Sequence, residues 1–250
     1  MGFKNNVKIG ILGGGQLGKM LIQTALDLDL DISVLENDPN CPCAAISGNF
    51  ILGDIMDFDT VYNFGKTVDI ITIEIENVNI EALKKLESEG KKVYPQPEIV
   101  EKIKDKTIQK KFFADHEIPT SSFFQVENKQ DAIEKIKSFP VVNKIGIGGY
   151  DGRGVQIIRN EADLEKIFDA KGIVEQLVNF EKELAVIVAR NPSGQIVAFP
   201  VVEMVFHPEA NLVEYLFSPA NINSEIEEKA KSIAKSVAER FEIVGLLAVE

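Results

Sequence analysis

The chain has 250 residues, of which 45% are hydrophobic, and its net charge of −12 comes from 27 basic and 39 acidic residues. This composition is ordinary for one or two globular domains, and the acidic balance argues against non-specific nucleic-acid binding, which needs a basic surface. No stretch has the apolar length of a membrane span, and no signal peptide is recognisable. We therefore expect small-molecule partners, with no nucleic acid and no membrane.

The first 36 residues have the pattern of a βαβ unit. Residues 7–12 and 32–35 read as buried strands, and residues 19–29 as a helix between them. The glycines of the intervening Gly13–Gly18 turn fit G-x-G-x-x-G, and Glu36 lies near the end of the second strand. That combination is typical of dinucleotide-binding proteins. The alternative is a tight turn that allows close helix–sheet packing, and the pattern alone does not decide between them.

The two cysteines follow this unit as Cys41 and Cys43. One intervening residue is poor spacing for zinc and tight for a disulfide, and no further Cys or His cluster completes a site. We expect reduced thiols in a cytoplasmic protein.

A second polar stretch follows the apolar strand predicted at residues 69–73. Glu74 and Glu76 come directly after it, and strand alternation would place both on one face at the carboxyl end of the strand. In an open α/β sheet that end is where ligands bind. The alternative is that one of the two carboxylates caps the helix predicted at residues 80–89.

Pro95 and Pro97 mark a break, and from about residue 98 the chain is strongly helical. Lys106 and Lys110 are four residues apart and share a helix face. Read without other information, they form a solvated basic stripe. Further strands are predicted at 122–126, 141–144, 155–158, 173–176, 184–190, 195–203, 212–217 and 245–250, and further helices at 129–139, 162–168 and 222–241, the last with Asn223 or Ser224 as cap and Glu227 completing a capping box with Ser224.

Residues 140–155 predict a strand, a glycine-rich loop and a second strand. Five glycines fall between Gly146 and Gly154, with Tyr150, Asp151 and Arg153 among them. Such a loop can turn successive N–H groups toward a phosphate. Lys144 supplies a cation at the root of the loop, and an Arg fork suits phosphate. The alternative is an ordinary hairpin with a flexible tip.

Lys144 and the run G-G-Y-D-G-R-G at 148–154 resemble the nucleotide-covering loop of the 5-(carboxyamino)imidazole ribonucleotide synthases, a family of the ATP-grasp superfamily. The resemblance implies an α/β fold, with an open parallel-sheet, Rossmann-like pre-ATP-grasp domain followed by an α+β lid. It implies an ATP-dependent ligase of purine biosynthesis. In that reaction bicarbonate attacks the γ-phosphate of MgATP to give carboxyphosphate and ADP, and the amine of aminoimidazole ribonucleotide then takes the carboxyl group.

The resemblance also implies site residues, matched motif by motif. Lys106 stands in the D-[RK]-x-x-[QE]-K motif that reaches the phosphates. Glu175 opens an E-Q-x-V hinge strand that contacts adenine and ribose, and Glu183, eight residues on, matches a ribose-binding Glu. Without that spacing, residues 181–183 read as surface charges. The implied ATP-binding residues are Lys106, Lys144, Gly149, Tyr150, Asp151, Gly152, Arg153, Gly154, Val155, Glu175, Gln176, Leu177, Val178 and Glu183.

Lys144 and Arg153 are the implied catalytic residues. Glu250 matches the first carboxylate ligand of Mg²⁺. The implied contacts of the ribonucleotide are Gln16, Leu17, Glu76, Tyr150, Asp151 and Arg153.

The implied organisation is an N-terminal domain at 1–98, a helical linker at 99–118, a lid subdomain at 119–180 and the start of a second ATP-grasp subdomain at 181–250. The family's second metal ligand, in N-E-[IL]-A-P-R, has no match in the chain. We therefore expect a fragment that does not turn over by itself. The family's tendency toward dimers makes a homodimer a further expectation.

Three alternatives stay open at this point. The first is another ATP-grasp ligase, such as the formate-dependent glycinamide ribonucleotide transformylase, against which the G-G-Y-D-G-R-G loop argues. The second is an NAD-linked oxidoreductase that uses the Gly13–Gly18 turn. The third is a non-catalytic nucleotide-binding module.

Overall fold

The computed structural model describes residues 7–149, 154–206 and 213–250. The chain divides into two compact units, Met1–Glu101 and Lys102–Glu250. The finer boundaries at 98, 118 and 180 remain predictions. Every described helix is too short or too polar to cross a bilayer.

The first unit contains one parallel sheet of five strands, in the order β3-β2-β1-β4-β5. This confirms the open parallel-sheet prediction. The elements are β1 (Lys8–Leu12), α1 (Gln16–Asp27), β2 (Asp31–Glu36), β3 (Asn49–Leu52), α2 (Phe58–Lys66), β4 (Ile70–Ile73), α3 (Ile80–Ser88) and β5 (Lys92–Val93), and α4 (Pro97–Lys104) follows across the unit boundary.

Both faces of this sheet are covered, because successive side chains of its strands point to opposite sides. Ile11 and Val34 are fully buried in a cluster that includes residues of α1, whereas the adjacent Leu12 and Leu35 are fully buried with residues of α2 and α3. This double covering fixes the register of the strands and therefore the position of the loops at their carboxyl ends.

The two cysteines belong to the α1 side of this core. Both are buried free thiols, as predicted. Burial raises the pKa of Cys43 to about 11, with the nearby Cys41 as the next contribution. A thiol of that pKa is protonated and packs as a small apolar group.

The second unit contains two sheets. The first is antiparallel, in the order β6-β9-β7-β8, and the second runs β11-β10-β12-β13, with β14 also paired to β10. Together with the parallel sheet they confirm the predicted α/β class, with a parallel-sheet domain followed by antiparallel sheets. The elements are α5 (Lys106–Asp115), β6 (Phe123–Val126), α6 (Lys129–Lys135), β7 (Val141–Ile145), β8 (Val155–Ile158), a 3₁₀ helix (Glu161–Lys166), β9 (Gly172–Gln176), β10 (Glu183–Arg190), β11 (Ile196–Ala198), β12 (Val202–Phe206), β13 (Val213–Phe217), α7 (Ser224–Phe241) and β14 (Gly245–Val249).

Several predicted elements are divided or shortened in the structure, and two of the divisions have a local cause. The helix predicted from residue 98 is two helices, because Asp105 caps α5 by accepting from the Thr107 backbone N–H at 2.8 Å and its hydroxyl at 2.6 Å. The strand predicted at 195–203 is two strands on either side of Pro200, which has no N–H for a ladder. The helix predicted at 129–139 ends at Lys135, and that at 162–168 is the 3₁₀ helix.

The long C-terminal helix begins one residue after its cap. The Asn223 side chain accepts from the Ile226 N–H at 2.9 Å, so Asn223 is the cap and the prediction that Ser224 forms a capping box is wrong. Glu227 instead pairs with Lys231 at 2.5 Å, one helical turn on.

Gly172 tests how closely β7 and β9 approach. A Cβ placed there would lie 2.1 Å from the Lys144 carbonyl oxygen, which is backbone and cannot rotate away. We expect Gly172→Ala to lower the free energy of unfolding by about 1–3 kcal/mol, the usual range for overpacking. Urea unfolding followed by circular dichroism measures this. The control is Gly48→Ala, because a Cβ at Gly48 meets nothing within 4 Å. Equal stability of the two variants would contradict the close approach.

Candidate functional site

A buried carboxylate with two lysine partners is the centre of the candidate site in the second unit. Glu175, near the end of β9, is 6% exposed. Its Oε2 lies 2.7 Å from the Lys110 Nζ and accepts from the Ser121 hydroxyl at 2.8 Å, and its Oε1 pairs with the Lys144 Nζ. The three partners come from α5, from the segment before β6 and from β7. The carboxylate therefore connects β9 with a helix, with a neighbouring strand and with the segment before β6.

The two lysines decide the charge state of Glu175. Burial alone would raise its pKa, but hydrogen bonds from Lys110 and Lys144, and then their positive charges, outweigh burial and hold the pKa below the usual range of a Glu. With Glu175 ionised and both lysines charged, the cluster carries a net charge of about +1. A local positive charge therefore exists inside a chain whose overall charge is −12.

Lys110 is a residue of this cluster that the sequence interpretation did not single out. Its side chain is 13% exposed, and its Nζ donates to the Thr120 hydroxyl at 2.6 Å and to the Ser121 hydroxyl at 2.9 Å, besides pairing with Glu175. The interpretation as part of a solvated stripe is therefore wrong for Lys110. Two signals could have marked it: its spacing of four residues from Lys106, and its place as the last residue of the D-[RK]-x-x-[QE]-K motif.

Lys106 lies at the first position of α5 and is half-buried. Its Nζ lies 3.4 Å from the Gly149 carbonyl oxygen, and its backbone N–H donates to the Gly146 carbonyl at 2.9 Å. Burial, and then the charge of Lys144, lowers the pKa of Lys106, while Asp105 acts in the opposite direction. The fold thus holds a poorly solvated cation against the base of the glycine loop.

The glycine-rich loop joins β7 and β8, which confirms the strand–loop–strand prediction. Gly148 and Gly154 have positive φ angles of 87° and 77°, which glycine adopts without strain. The Gly154 carbonyl accepts from the Ile145 N–H at 3.0 Å and closes the base of the loop. The predicted site residues Tyr150, Asp151, Gly152 and Arg153 lie outside the described residues. Gly149 precedes them, and Gly154 and Val155 follow them.

The E-Q-x-V segment leaves the sheet after Gln176, the last residue of β9. The Gln176 N–H donates to the Ser122 carbonyl at 2.9 Å, Leu177 is half-buried and Val178 is 53% exposed. This segment therefore borders the lysine cluster and continues toward solvent, where its apolar side chains are accessible.

Glu183 opens β10, and Glu250 follows β14, which pairs with β10. Burial, and then the charge of Glu250, raises the pKa of Glu183, while Lys144 lowers it. Glu183 therefore lies close enough to both groups to feel their charges. Glu183 also lines a groove of about 330 Å³ with the apolar side chains of Phe180 and Phe206.

Two further expectations concern Lys182 as a surface charge and Glu250 as a metal ligand. Lys182 is not a free surface charge, because its Nζ contacts the Glu203 carboxylate at 2.9 Å and the Asn221 carbonyl at 2.7 Å. Within the described part of the chain, no three Cys, His, Asp or Glu residues converge as a metal site would require. The role of Glu250 as a metal ligand stays a prediction.

In the first unit, carboxylates of the chain itself fill the glycine turn. Glu36 Oε2 accepts from the Gly14 N–H at 2.8 Å, and its Oε1 accepts from the Asn37 N–H at 2.7 Å. A Cβ on Gly15 would lie 2.5 Å from Glu74 Oε1. A pyrophosphate would have to displace an anion already bound to the Gly14 amide, so this geometry favours the packing interpretation of the turn.

The residues after β4 do not follow the predicted alternation. The strand ends at Ile73, Glu74 and Glu76 lie in a bend, and Glu76 is exposed. The alternative that either Glu caps α3 is wrong, because the Asn79 side chain accepts from the Ala82 N–H at 2.8 Å. Gln16 and Leu17 are exposed in the first turn of α1. The assignments of Gln16, Leu17 and Glu76 as ligand contacts stay predictions.

Comparison with known proteins agrees with this architecture. The ribonucleotide synthetase preATP-grasp domain matches residues 6–104, and the ATP-grasp domain matches residues 111–250. The chain belongs to the ATP-grasp family. The second match covers Lys144, Glu175, Glu183 and Glu250, together with the described ends of the glycine loop. Lys106 and Lys110 lie between the two matched ranges.

Within the ATP-grasp family, the similar proteins include N5-carboxyaminoimidazole ribonucleotide synthases and phosphoribosylaminoimidazole carboxylases. The enzyme of Synechococcus elongatus is 31% identical over 248 residues, which cover 97% of this chain and 62% of the relative. The structure from Thermotoga maritima is 36% identical with a TM-score of 0.84, and covers 97% of this chain and 63% of that one. The structure from Aspergillus clavatus, in complex with ADP and 5-aminoimidazole ribonucleotide, is 28% identical with a TM-score of 0.88, and covers 99% and 66%.

The chain thus spans less than two thirds of the length of each of these relatives. The similarity extends over nearly all of this chain, in both units. The relation to this enzyme family that the G-G-Y-D-G-R-G loop predicted is confirmed.

The ion-pair cluster generates a stability prediction. We expect Glu175→Gln to lower the free energy of unfolding by about 3 kcal/mol, because it leaves Lys110 buried without its counter-ion. The matched control is Glu183→Gln, which removes a carboxylate whose ionisation is already disfavoured. We expect it to change the free energy of unfolding only slightly. Urea unfolding of both variants at neutral pH checks this.

The same comparison has a defined pH dependence. The folded-state pKa of Glu175 is depressed, so its contribution is complete above the ordinary Glu pKa and is lost as pH falls through the folded-state value. The advantage of wild type over Glu175→Gln should therefore shrink in acid. An advantage that is constant with pH would show that the carboxylate charge is not its source.

Proposed function

We propose that this chain is the nucleotide-binding part of an N5-carboxyaminoimidazole ribonucleotide synthase, which uses ATP and bicarbonate to carboxylate 5-aminoimidazole ribonucleotide. The observation that carries the proposal is the position of Lys106 and Lys144 beside the glycine loop, with Glu175 between Lys144 and Lys110. Its support from comparison is the relative whose structure holds ADP and 5-aminoimidazole ribonucleotide. The pathway is de novo purine biosynthesis, and the compartment we propose is the cytoplasm.

The proposed nucleotide site uses charge at one end and apolar surface at the other. Lys106 and Lys144 neutralise phosphate charge, assisted by the loop amides of Gly149 to Gly154 and by Arg153. The hinge segment 175–178 and the groove beside Glu183 take the adenine and the ribose, whose hydroxyls can donate to a carboxylate. Lys144 and Arg153 are the proposed catalytic residues, because an ammonium group and an arginine fork suit the transferred phosphate.

Mg²⁺ is the proposed metal, since it neutralises phosphate charge when bound. The chain offers Glu250 as an oxygen ligand. Its fit is supported by the neighbouring Glu183, whose pKa is raised by burial and then by the charge of Glu250, because a divalent cation would relieve the repulsion between the two carboxylates. The nearby carboxylate pair is the chemistry that a hard cation prefers.

The proposed reaction has two transfers that balance without any covalent enzyme intermediate. A bicarbonate oxygen attacks the γ-phosphorus and ADP leaves, giving carboxyphosphate. The substrate amine then attacks the carboxyphosphate carbon, phosphate leaves, and the amine loses a proton. Such steps depend on positioning and charge stabilisation more than on nucleophilic side chains. The loop would exclude water from carboxyphosphate when it closes.

The proposed contacts of the ribonucleotide are Gln16, Leu17 and Glu76 in the first unit and Tyr150, Asp151 and Arg153 in the glycine loop. The proposed partners are small molecules, namely ATP, bicarbonate and the ribonucleotide, and a second copy of the chain in a homodimer.

Isothermal titration of MgATP tests the nucleotide site. We expect saturable binding that Lys144→Ala weakens by about 30-fold or more, corresponding to roughly 2–4 kcal/mol for the loss of one charge-stabilising donor. The control is Lys111→Ala on the exposed side of α5, where the Asp115 ion pair is solvated and contributes little. NADH should give no binding heat. Binding of NADH in place of MgATP would move the function to the Gly13–Gly18 turn and reject the proposal.

The depressed pKa of Lys106 predicts proton uptake on nucleotide binding. Polyphosphate beside Lys106 favours its charged form and therefore raises its pKa. At an alkaline pH between the free and bound pKa values, binding should take up a proton, and affinity should fall as pH rises further. Titrations in two buffers of different ionisation enthalpy measure this uptake. It should disappear in Lys106→Met, and its persistence in that variant would assign it to another group.

A further inference from the structure

We propose that Lys110 is a positioning residue, which keeps Glu175 paired and fixed so that Lys144 is free to exchange this carboxylate for an anionic ligand. The identity of that ligand as a nucleotide polyphosphate rests on the proposed function above. The proposal that Lys144 exchanges the Glu175 carboxylate for another anion is independent of that function.

The two lysines occupy separate oxygens of the carboxylate. Lys110 pairs with Oε2 at 2.7 Å, where the Ser121 hydroxyl also donates, and Lys144 pairs with Oε1. One cation can therefore leave while the other retains its contact. A buried carboxylate that keeps one well-placed cation avoids the large penalty of an unpaired buried charge.

Lys110 has the environment of a permanent partner. Its ammonium has three acceptors within hydrogen-bond distance, the Glu175 carboxylate and the hydroxyls of Thr120 and Ser121, which match its three N–H groups. It also lies 5.8 Å from the centre of the Phe123 ring, and its side chain is 13% exposed. No donor is left for a ligand.

Lys144 has the environment of an exchangeable partner. Its side chain is 29% exposed, about twice as much as that of Lys110. Among the described residues, Glu175 is the one recorded hydrogen-bond or ion-pair partner of its ammonium. It adjoins the glycine loop at the end of β7, and its charge acts on both Lys106 and Glu183. Lys144 can therefore turn toward an anion without breaking a complete shell of hydrogen bonds.

Removing Lys110 should lock Lys144 in place. In Lys110→Met, Lys144 becomes the sole cation on a buried carboxylate and loses its freedom to leave. In the double variant Lys110→Met/Glu175→Gln, the carboxylate charge is gone and Lys144 is free again. Lys110→Arg keeps the charge and should behave close to wild type. A residue that merely supports the fold would not give this pattern of loss and rescue.

The first test needs no nucleotide. The folded proteins are labelled briefly with an amine-reactive N-hydroxysuccinimide ester, and modification of Lys144 is quantified by peptide mass spectrometry. We expect Lys144 labelling to fall by about fivefold or more in Lys110→Met and to recover in the double variant. The matched control is Lys111→Met on the same helix, which should leave Lys144 labelling unchanged. Circular dichroism confirms that each variant is folded, and Lys110→Gln replaces Lys110→Met if the latter unfolds.

The second test compares MgATP with adenosine by isothermal titration. We expect Lys110→Met to lower the affinity for MgATP by about tenfold and to leave the affinity for adenosine unchanged. Adding Glu175→Gln should restore the affinity for MgATP. Unchanged Lys144 labelling in Lys110→Met, or a failure of the double variant to recover, would overturn the positioning role. If the variants show the expected labelling pattern but the wild-type protein does not bind MgATP, the proposed function is rejected and the positioning role of Lys110 is retained.

Discussion

The burial of one carboxylate organises the second unit. Glu175 can be ionised at 6% exposure because two ammonium groups and a hydroxyl replace the water that it loses. These partners come from a helix, a connecting segment and a neighbouring strand. Their geometry is therefore a constraint on the fold as well as a source of charge, and a displacement of any of them would leave a buried charge without a partner.

In the first unit, carboxylates rather than lysines lie beside the glycine-rich segment. Glu36 binds the Gly14 amide at the glycine turn, and Glu74 lies against Gly15. Here the Glu36 carboxylate accepts from a backbone N–H that would otherwise be available to a phosphate, and the Glu74 carboxylate takes up the neighbouring space. Two glycine-rich segments of one chain thus differ in their use. One is filled by carboxylates of the protein, whereas the other lies beside Lys106 and Lys144, of which only Lys144 has Glu175 as an ion-pair partner among the described residues.

The fold was largely predictable because its signals are local. Apolar runs separated by glycine predicted β1, β2, β7 and β8, and the G-G-Y-D-G-R-G loop predicted the family. The site was predictable only where a motif marked it. The burial of Lys110 could not be inferred from α5 alone, because its partner Glu175 lies on β9, far along the chain. The break at Asp105 was missed because a capping aspartate gives a weaker signal than proline.

An acidic chain can hold an anion when a small region of low solvation carries the opposite charge. Lys106 shows the cost of that arrangement, since burial and the nearby Lys144 both lower its pKa. A polyanion bound at the proposed site would relieve the repulsion between Lys106 and Lys144 and would favour the charged form of Lys106. Without a ligand, Glu175 neutralises Lys144 and so limits that repulsion. In the proposed site, the three lysines and one carboxylate would therefore balance the stability of the free protein against its affinity for an anion.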